Sequence, residues 1–114
     1  MKAIYCALIN SLRGMRYALS TERAVRQEFI VLILSIPAAA FLSKDVMSFA
    51  AMVGSIVFLI SIELINTSIE NLCDYLHPHH HKMIGSVKDL GSAAVLFAAI
   101  LAALIWATVL LQSR

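Results

Sequence analysis

One face of a predicted helix carries three carboxylates and an amide. These side chains belong to Glu63, Asn66, Glu70 and Asp74, at positions i, i+3, i+7 and i+11. At about 100° per residue, this spacing places all four on one stripe of a helix. An uncharged run, Val46 to Ile62, precedes them, so the stripe begins where apolar helix meets water. Charged groups at such a boundary are unfavourable without partners, and the stripe is therefore the best candidate for a reaction centre.

The stripe and its neighbours supply the parts that phosphoryl transfer requires. Carboxylates are hard oxygen ligands for Mg²⁺, which commonly takes one or two of them and adds water and phosphate oxygens. A carboxylate at the lipid boundary is suited to accept a proton from a hydroxyl. Lys88 supplies a positive charge for phosphate, and Ser86 with Asp89 fits a capping pattern that would place this charge at a helix N-terminus. The glycine-rich phosphate loops of the common kinases are absent from the sequence.

The composition indicates a membrane protein. The 114 residues permit one domain, predicted to cover 1–114, and 61% of them are hydrophobic while 14% are charged. A water-soluble domain of this size has too little interior for so much apolar side chain. Cys6 and Cys73 lie at unrelated sites and provide neither a disulfide framework nor a metal motif. The net charge of +2 is too small to indicate nucleic acid as a partner.

Three largely uncharged stretches predict an all-α fold with three transmembrane helices. The predicted spans cover residues 24–42, 46–65 and 90–111. Each is long enough to cross a hydrocarbon core of about 30 Å, the first two only narrowly. Only Ser43 to Asp45 separates the first two spans, which predicts an antiparallel helical hairpin. The second helix is predicted to continue to Leu76, because the first clear breaker is Pro78.

The segment before the first span predicts an amphipathic helix on the membrane surface. Between residues 3 and 20, apolar side chains recur at steps of three or four, with basic ones on the other side. Basic residues also predict the orientation. Lys2, Arg13, Arg16 and Arg23 precede the first span, and Arg26 lies in its first turn. Lys82 and Lys88 follow the second span, whereas the opposite side holds only Lys44 and Arg114. The positive-inside rule therefore predicts a cytosolic N-terminus, an outside C-terminus and a cytosolic reaction centre.

Three sequence blocks, taken in order, resemble a known family. They read E-x-A-x-R-Q-E at Glu22 to Glu28, E-L-x-N-T-x-I-E at Glu63 to Glu70, and K-D-x-G-S-A-A at Lys88 to Ala94, with Asp74 after the second block. Together they resemble the small prokaryotic diacylglycerol kinases, integral membrane enzymes that are unrelated to other kinases. The resemblance covers nearly the whole chain.

This resemblance implies a homotrimer in the bacterial inner membrane that transfers the γ-phosphate of MgATP to diacylglycerol, giving phosphatidic acid. It implies that Glu63 is the catalytic base and that Glu22 and Glu70 hold the Mg²⁺. The ATP-binding residues that it implies are Asn10, Glu22, Glu70, His79, His81, Lys88 and Asp89. The residues that it implies for the lipid substrate are Ser11, Arg13, Arg16, Arg26, Gln27, Glu63, Asn66 and Ser92.

Other functions stay as alternatives to a diacylglycerol kinase. An undecaprenol kinase of the same family would carry the same motifs. A small membrane transporter would also carry glutamates, but an even number of spans and an acid near the bilayer midplane would be expected of it. A structural subunit would explain neither the carboxylate stripe nor Lys88. The sequence therefore favours a lipid kinase.

Overall fold

The fold consists of four α-helices, and the computed structural model describes residues 1–77, 79 and 81–112. In chain order the helices are α1 (Lys2–Thr21), α2 (Arg23–Leu42), α3 (Val46–Leu76) and α4 (Lys82–Gln112). The described residues include no strand. α2, α3 and α4 are each long and apolar enough to cross a membrane. The predicted all-α membrane fold, with three spans and an N-terminal helix, is confirmed.

α2 and α3 form the predicted hairpin around Ser43, Lys44 and Asp45. Ser43 ends α2 in an extended conformation, and its backbone N–H still donates to the Ala39 carbonyl at 2.8 Å. Asp45 is the N-cap of α3, and its Oδ1 accepts a hydrogen bond of 2.7 Å from the Ser48 backbone N–H. An N-cap of this kind satisfies one of the free donors of the first turn. Ser43 at the end of α2 and Asp45 at the start of α3 therefore fix the short connection between the two helices.

α3 continues to Leu76 as predicted, whereas α4 begins earlier than predicted, at Lys82. The Gly85 N–H donates to the His81 carbonyl at 2.8 Å, and the Met83 N–H lies 3.2 Å from His81 Nδ1. His81 thus caps α4 with its backbone and its side chain. The expected break at Pro78 lies outside the described residues, and so does Arg114, which contributed to the predicted orientation.

The predicted capping role of Ser86 is wrong. Ser86 lies in the second turn of α4, and its hydroxyl donates to the Lys82 carbonyl at 3.2 Å. The N–H groups without an intrahelical acceptor lie at the very start of a helix, here up to residue 84, because the Gly85 N–H already donates to the His81 carbonyl. Lys88 is therefore beyond the helix N-terminus, and the dipole that the sequence pattern predicted for it does not act there.

Two buried apolar clusters hold α2, α3 and α4 together. The first contains Ala39, Met52 and Val109, and the second contains Ile56, Ile60 and Ala102. Trp106 of α4 packs against both clusters, and its indole N–H donates to the Met52 carbonyl of α3 at 3.0 Å. Small buried residues on α4, such as Ala102, let the helices approach closely, as is typical of packing in membranes.

α1 is joined to α2 at Glu22, whose extended backbone separates the two helices. Arg26 Nη1 donates to the Leu19 carbonyl at 3.0 Å, which ties the beginning of α2 to the last turns of α1. Most of α1 is exposed, and Ala18 is its buried residue. α1 therefore lies against the bundle without belonging to its core.

Candidate functional site at the polar end of α2, α3 and α4

Glu28 of α2 and Glu63 of α3 meet across the hairpin. Their carboxyl groups lie within hydrogen-bonding reach of each other. Glu63 is only 8% exposed, and Glu28 Oε1 is fully buried without a hydrogen-bond partner among the described residues. Carboxylates have no donor of their own, so two carboxyl groups form a hydrogen bond only when one proton lies between them. The pair therefore differs from an ordinary solvated helix end.

Asn66 lies one turn beyond Glu63 and faces α4. It is only 6% exposed, and its Oδ1 has no hydrogen-bond partner among the described residues. Gly91 of α4 is its neighbour, because a Cβ added at position 91 would lie 2.1 Å from Asn66 Oδ1. Real Cβ atoms essentially never approach an oxygen so closely. Glycine at position 91 thus leaves room for the Asn66 amide.

The far end of the stripe meets α4 at a second polar contact. Lys88 Nζ lies 2.5 Å from Asp74 Oδ1, and Glu70 is close enough to attract the Lys88 ammonium. Both members of the ion pair are partly exposed, so the pair adds little to stability. A cavity of about 140 Å³ adjoins them. Its lining residues are Asp74, His77, His79, His81, Ile84, Gly85 and Lys88.

The histidines of this cavity are held by the backbone. His77 Nδ1 lies 3.0 Å from the His79 carbonyl, and the His77 and His81 rings are 4.9 Å apart. His81 Nδ1 accepts the hydrogen bond from the Met83 N–H that caps α4. Only Nε2 of His81 is then left for a ligand in the cavity.

An apolar groove runs between α1 and α3. It has a volume of about 390 Å³ and reaches from Ser11 and Tyr17 of α1 to Leu64 and Thr67 of α3. The Ser11 hydroxyl is bonded to the Ala7 carbonyl at 2.9 Å, so it contributes little polarity to the groove. Because Leu64 and Thr67 are neighbours of Glu63 and Asn66, the groove brings apolar space beside the carboxylate stripe.

Several predicted site residues make no side-chain hydrogen bond or ion pair within the part of the chain that the structure describes. These residues are Asn10, Arg13, Arg16, Glu22, Gln27, Asp89 and Ser92. Glu22 is half-buried at the junction of α1 and α2, and the others are exposed. The single chain therefore unites Glu63, Asn66, Glu70 and Lys88 along α3 and α4, but it leaves the basic face of α1 apart from them.

The donor set fits magnesium better than a closed zinc site. Across residues 1–77, 79 and 81–112, no three His, Cys, Asp or Glu side chains are grouped so that they could hold a metal ion. Mg²⁺ commonly needs only one or two carboxylates, because phosphate oxygens and water complete its shell. Glu22 and Glu70 offer two carboxylates that make no hydrogen bond within the described chain. Each of these carboxylates is therefore available to a ligand from outside the chain.

The sequence prediction gave Glu28 and Gly91 no role of their own, although both contact the stripe. A signal for Glu28 was present in the hairpin. Glu28 lies 16 residues before Lys44, and Glu63 lies 19 residues after it. In two antiparallel helices this difference of three residues is about 4.5 Å, less than one turn. The signal for Gly91 was absent, because the distance between α3 and α4 depends on their packing.

Comparison with known proteins places this geometry in a family. The sequence model of the family "Prokaryotic diacylglycerol kinase" matches residues 9–110. The diacylglycerol kinase of Escherichia coli is 34% identical over 100 residues, which cover 88% of this chain and 82% of the relative. The diacylglycerol kinase of Helicobacter pylori is 34% identical, and the alignment covers 96% of this chain and 86% of that relative. The diacylglycerol kinase of Pseudomonas aeruginosa is 32% identical, and the alignment covers 97% of this chain and 90% of that relative. The chain belongs to the prokaryotic diacylglycerol kinase family.

Proposed function

We propose that this protein is a membrane lipid kinase that transfers the γ-phosphate of ATP to the hydroxyl of diacylglycerol, giving phosphatidic acid. Membership of the family supports a kinase, and the relatives are named for this lipid. The observation that carries the proposal is the buried Glu63 carboxyl at the polar end of an apolar helix. A base at this position meets a hydroxyl whose acyl chains remain in lipid.

Glu63 acts as the general base in this proposal. It accepts the proton of the lipid hydroxyl while the lipid oxygen forms its bond to the γ-phosphorus and the bond to the departing ADP breaks. Asn66 lies beside Glu63, and its Oδ1 has no partner in the part of the chain that the structure describes, so we expect it to orient the acceptor or the phosphate. The groove between α1 and α3 offers apolar space for part of the lipid.

The nucleotide lies towards the α3–α4 loop in this proposal. Lys88 supplies a positive charge for phosphate, and Asp89, His79 and His81 lie on the same segment. Glu22 and Glu70 would hold Mg²⁺ with the nucleotide, where the ion would neutralise charge on the phosphates. Asn10 would extend the nucleotide site from α1. The lipid side would be lined by Ser11, Arg13, Arg16, Arg26, Gln27 and Ser92.

Placement in the membrane is part of the proposal. We infer that the protein lies in the bacterial inner membrane with its N-terminus and the α3–α4 loop in the cytosol. The distribution of basic residues in the sequence supports this orientation, since Lys82 and Lys88 belong to the loop end and the opposite side holds only Lys44 and Arg114. α1, whose apolar side chains are largely exposed, would rest on the membrane surface.

We propose that the active form is a homotrimer in which neighbouring subunits share each site. Polar side chains without a partner among the described residues, such as Glu22 between α1 and α2 and Asp89 of α4, support a site that one chain leaves incomplete. Co-expression of Glu22→Gln and Glu63→Gln subunits tests this idea. Sites shared between subunits should recover part of the activity in mixed trimers, and no recovery above either parent would contradict sharing.

The decisive experiment is transfer of labelled γ-phosphate from ATP into extractable lipid by the purified protein in mixed micelles. Diacylglycerol and undecaprenol are offered separately, and Glu63→Gln is the control. We expect labelled phosphatidic acid, reduced at least about 100-fold in the variant. Labelled undecaprenyl phosphate as the main product would instead indicate an undecaprenol kinase. No labelled lipid from a folded sample with Mg²⁺ would contradict the kinase and favour the transporter alternative.

A further inference from the structure

Glu28 is the strongest unassigned feature of the polar end. It comes from α2, whereas the residues of the stripe all come from α3. Its carboxyl group lies within hydrogen-bonding reach of Glu63, and its Oε1 is buried without a partner among the described residues. A second acid beside the base is unfavourable when both are charged, so its presence needs a reason.

We propose that Glu28 is a positioning residue for Glu63: it keeps the single proton of the pair and, by donating it in a hydrogen bond, holds the Glu63 carboxylate in place for the lipid hydroxyl. The inference rests on the proposed function, in which Glu63 is the base. A general base has to be the unprotonated member of the pair. The buried and unpartnered Oε1 of Glu28 agrees with this division, because an isolated buried charge there would be unfavourable.

The hairpin gives this contact its geometry. The two caps at Ser43 and Asp45 fix the offset between α2 and α3, and this offset brings Glu28 level with Glu63. A side chain on a neighbouring helix restrains the base from the side, which a residue on α3 itself does not. Glu28 touches neither nucleotide nor lipid in this proposal, and it acts through Glu63 alone.

Two substitutions of Glu28 distinguish a role of its hydrogen bond to Glu63 from a role of its charge. In Glu28→Gln, the amide N–H still donates to Glu63, so we expect kcat to fall less than about threefold. In Glu28→Ala the donor is lost, and we expect kcat to fall about tenfold to 100-fold, as for a hydrogen bond to a charged group. The KM values for MgATP and diacylglycerol should stay within about twofold, because only the base has lost its support.

Ser35→Ala is the matched control. Ser35 is buried two turns further along α2, and its hydroxyl donates only to the Leu32 carbonyl at 2.7 Å. We expect wild-type kinetics from this variant. Wild-type kcat in Glu28→Ala would overturn the proposal, and so would equal losses in the Gln and Ala variants, which would indicate a role for the charge. Near wild-type activity in Glu63→Gln would instead contradict the assignment of Glu63 as the base, and no labelled lipid from the wild type would contradict the kinase, so these failures are distinguishable from that of Glu28.

Infrared spectroscopy tests the proton independently of turnover. The wild-type protein at neutral pH should show the C=O stretching band of a buried carboxylic acid, which shifts in heavy water. Glu28→Gln should lose this band, and Ser35→Ala should keep it. Wild-type protein without the band, or Glu28→Gln with the band unchanged, would overturn the proposal even if the Ala variant proved too unstable to assay.

Discussion

The two ends of the helical bundle differ in whether their polar groups have hydrogen-bond partners within the chain. At the hairpin end, several of them have protein partners: Lys44 donates to the Gln112 carbonyl, Asp45 accepts from Ser48, and Trp106 donates to Met52. At the site end, Glu28 Oε1 and Asn66 Oδ1 are buried without a partner among the described residues.

This difference separates structure from function. Buried polar groups in native proteins are nearly always hydrogen-bonded, so an exception needs an explanation. The hairpin end stabilises the fold, because its donors and acceptors are used within the chain. The site end keeps two acceptors free at a cost in stability, which is expected at Asn66, where a substrate would supply the missing partner. Mutations at the two ends should therefore have opposite profiles of activity and stability.

The largest expected contrast is between two lysines. Lys88→Met at the site end should lower kcat/KM for MgATP about tenfold to 100-fold, because a charged hydrogen bond to phosphate is lost. Its melting temperature should hardly change, since the ion pair with Asp74 is partly exposed. Lys44→Met should keep normal kinetics and lower the melting temperature only slightly, because its hydrogen bond to the Gln112 carbonyl is exposed. Equal losses of kcat/KM in both variants would contradict the proposed difference between the site end and the hairpin end.

Two glycines give the next contrast. Gly91→Ala should lower kcat about tenfold or more, because its Cβ would meet Asn66 Oδ1 and displace the amide. Gly54→Ala is the matched control in α3, where an added Cβ has nothing within 4 Å. It should keep kcat and leave the melting temperature equal or slightly higher, since alanine favours helix over glycine. Normal turnover in Gly91→Ala would show that the position of Asn66 is unimportant.

A smaller effect is expected from Trp106→Phe at the hairpin end. The variant keeps an aromatic ring but loses the N–H that bonds to the Met52 carbonyl. That carbonyl still accepts from the Ser55 hydroxyl at 2.7 Å, so no acceptor is left empty. The free energy of unfolding should fall by about 1 kcal/mol, and kcat should not change. Denaturant titration and the phosphate-transfer assay measure the two quantities, and a large fall in kcat would contradict the structural role.

The smallest effect is a pH dependence at Asp45. Its hydrogen bond from the Ser48 N–H lowers the pKa of Asp45 below its ordinary value of 3.8. A lowered pKa gives stability that is present above 3.8 and lost as the pH falls through the folded-state pKa. Asp45→Asn keeps a good N-cap but does not titrate. Its melting temperature should therefore fall less steeply than the wild type below pH 3.8. Equal slopes would contradict this source of stability.

The sequence predicted the long elements well because their signals are local. Uncharged runs predicted the three spans, and the continuing helical period predicted that α3 would reach Leu76. The start of α4 was misplaced by the Ser86 pattern. It depends on a cap that His81 provides with both backbone and side chain, and histidine is not a common capping residue.

The site was predictable along one helix and less so between helices. The spacing from Glu63 to Asp74 was sufficient to predict a polar face, and the structure places Glu63 and Asn66 in the interior. Glu28 and Gly91 act from α2 and α4, so their importance depends on offsets and distances between helices. The roles of Glu22, Asp89 and the basic residues of α1 stay predictions, because they have no partner within the described part of a single chain.

Because α3 is unbroken, the distance between the two ends of the carboxylate stripe is fixed. Glu63 and Asp74 are eleven residues apart on one continuous helix, so about 16 Å separates their levels along its axis. In the proposed reaction, Glu63 marks the level of the lipid hydroxyl and Asp74 lies towards the nucleotide. One continuous helix therefore sets both the axial distance and the relative rotation between the two parts of the site. One residue inserted between them would rotate everything beyond it by about 100° and separate the two halves of the site, although both would remain intact.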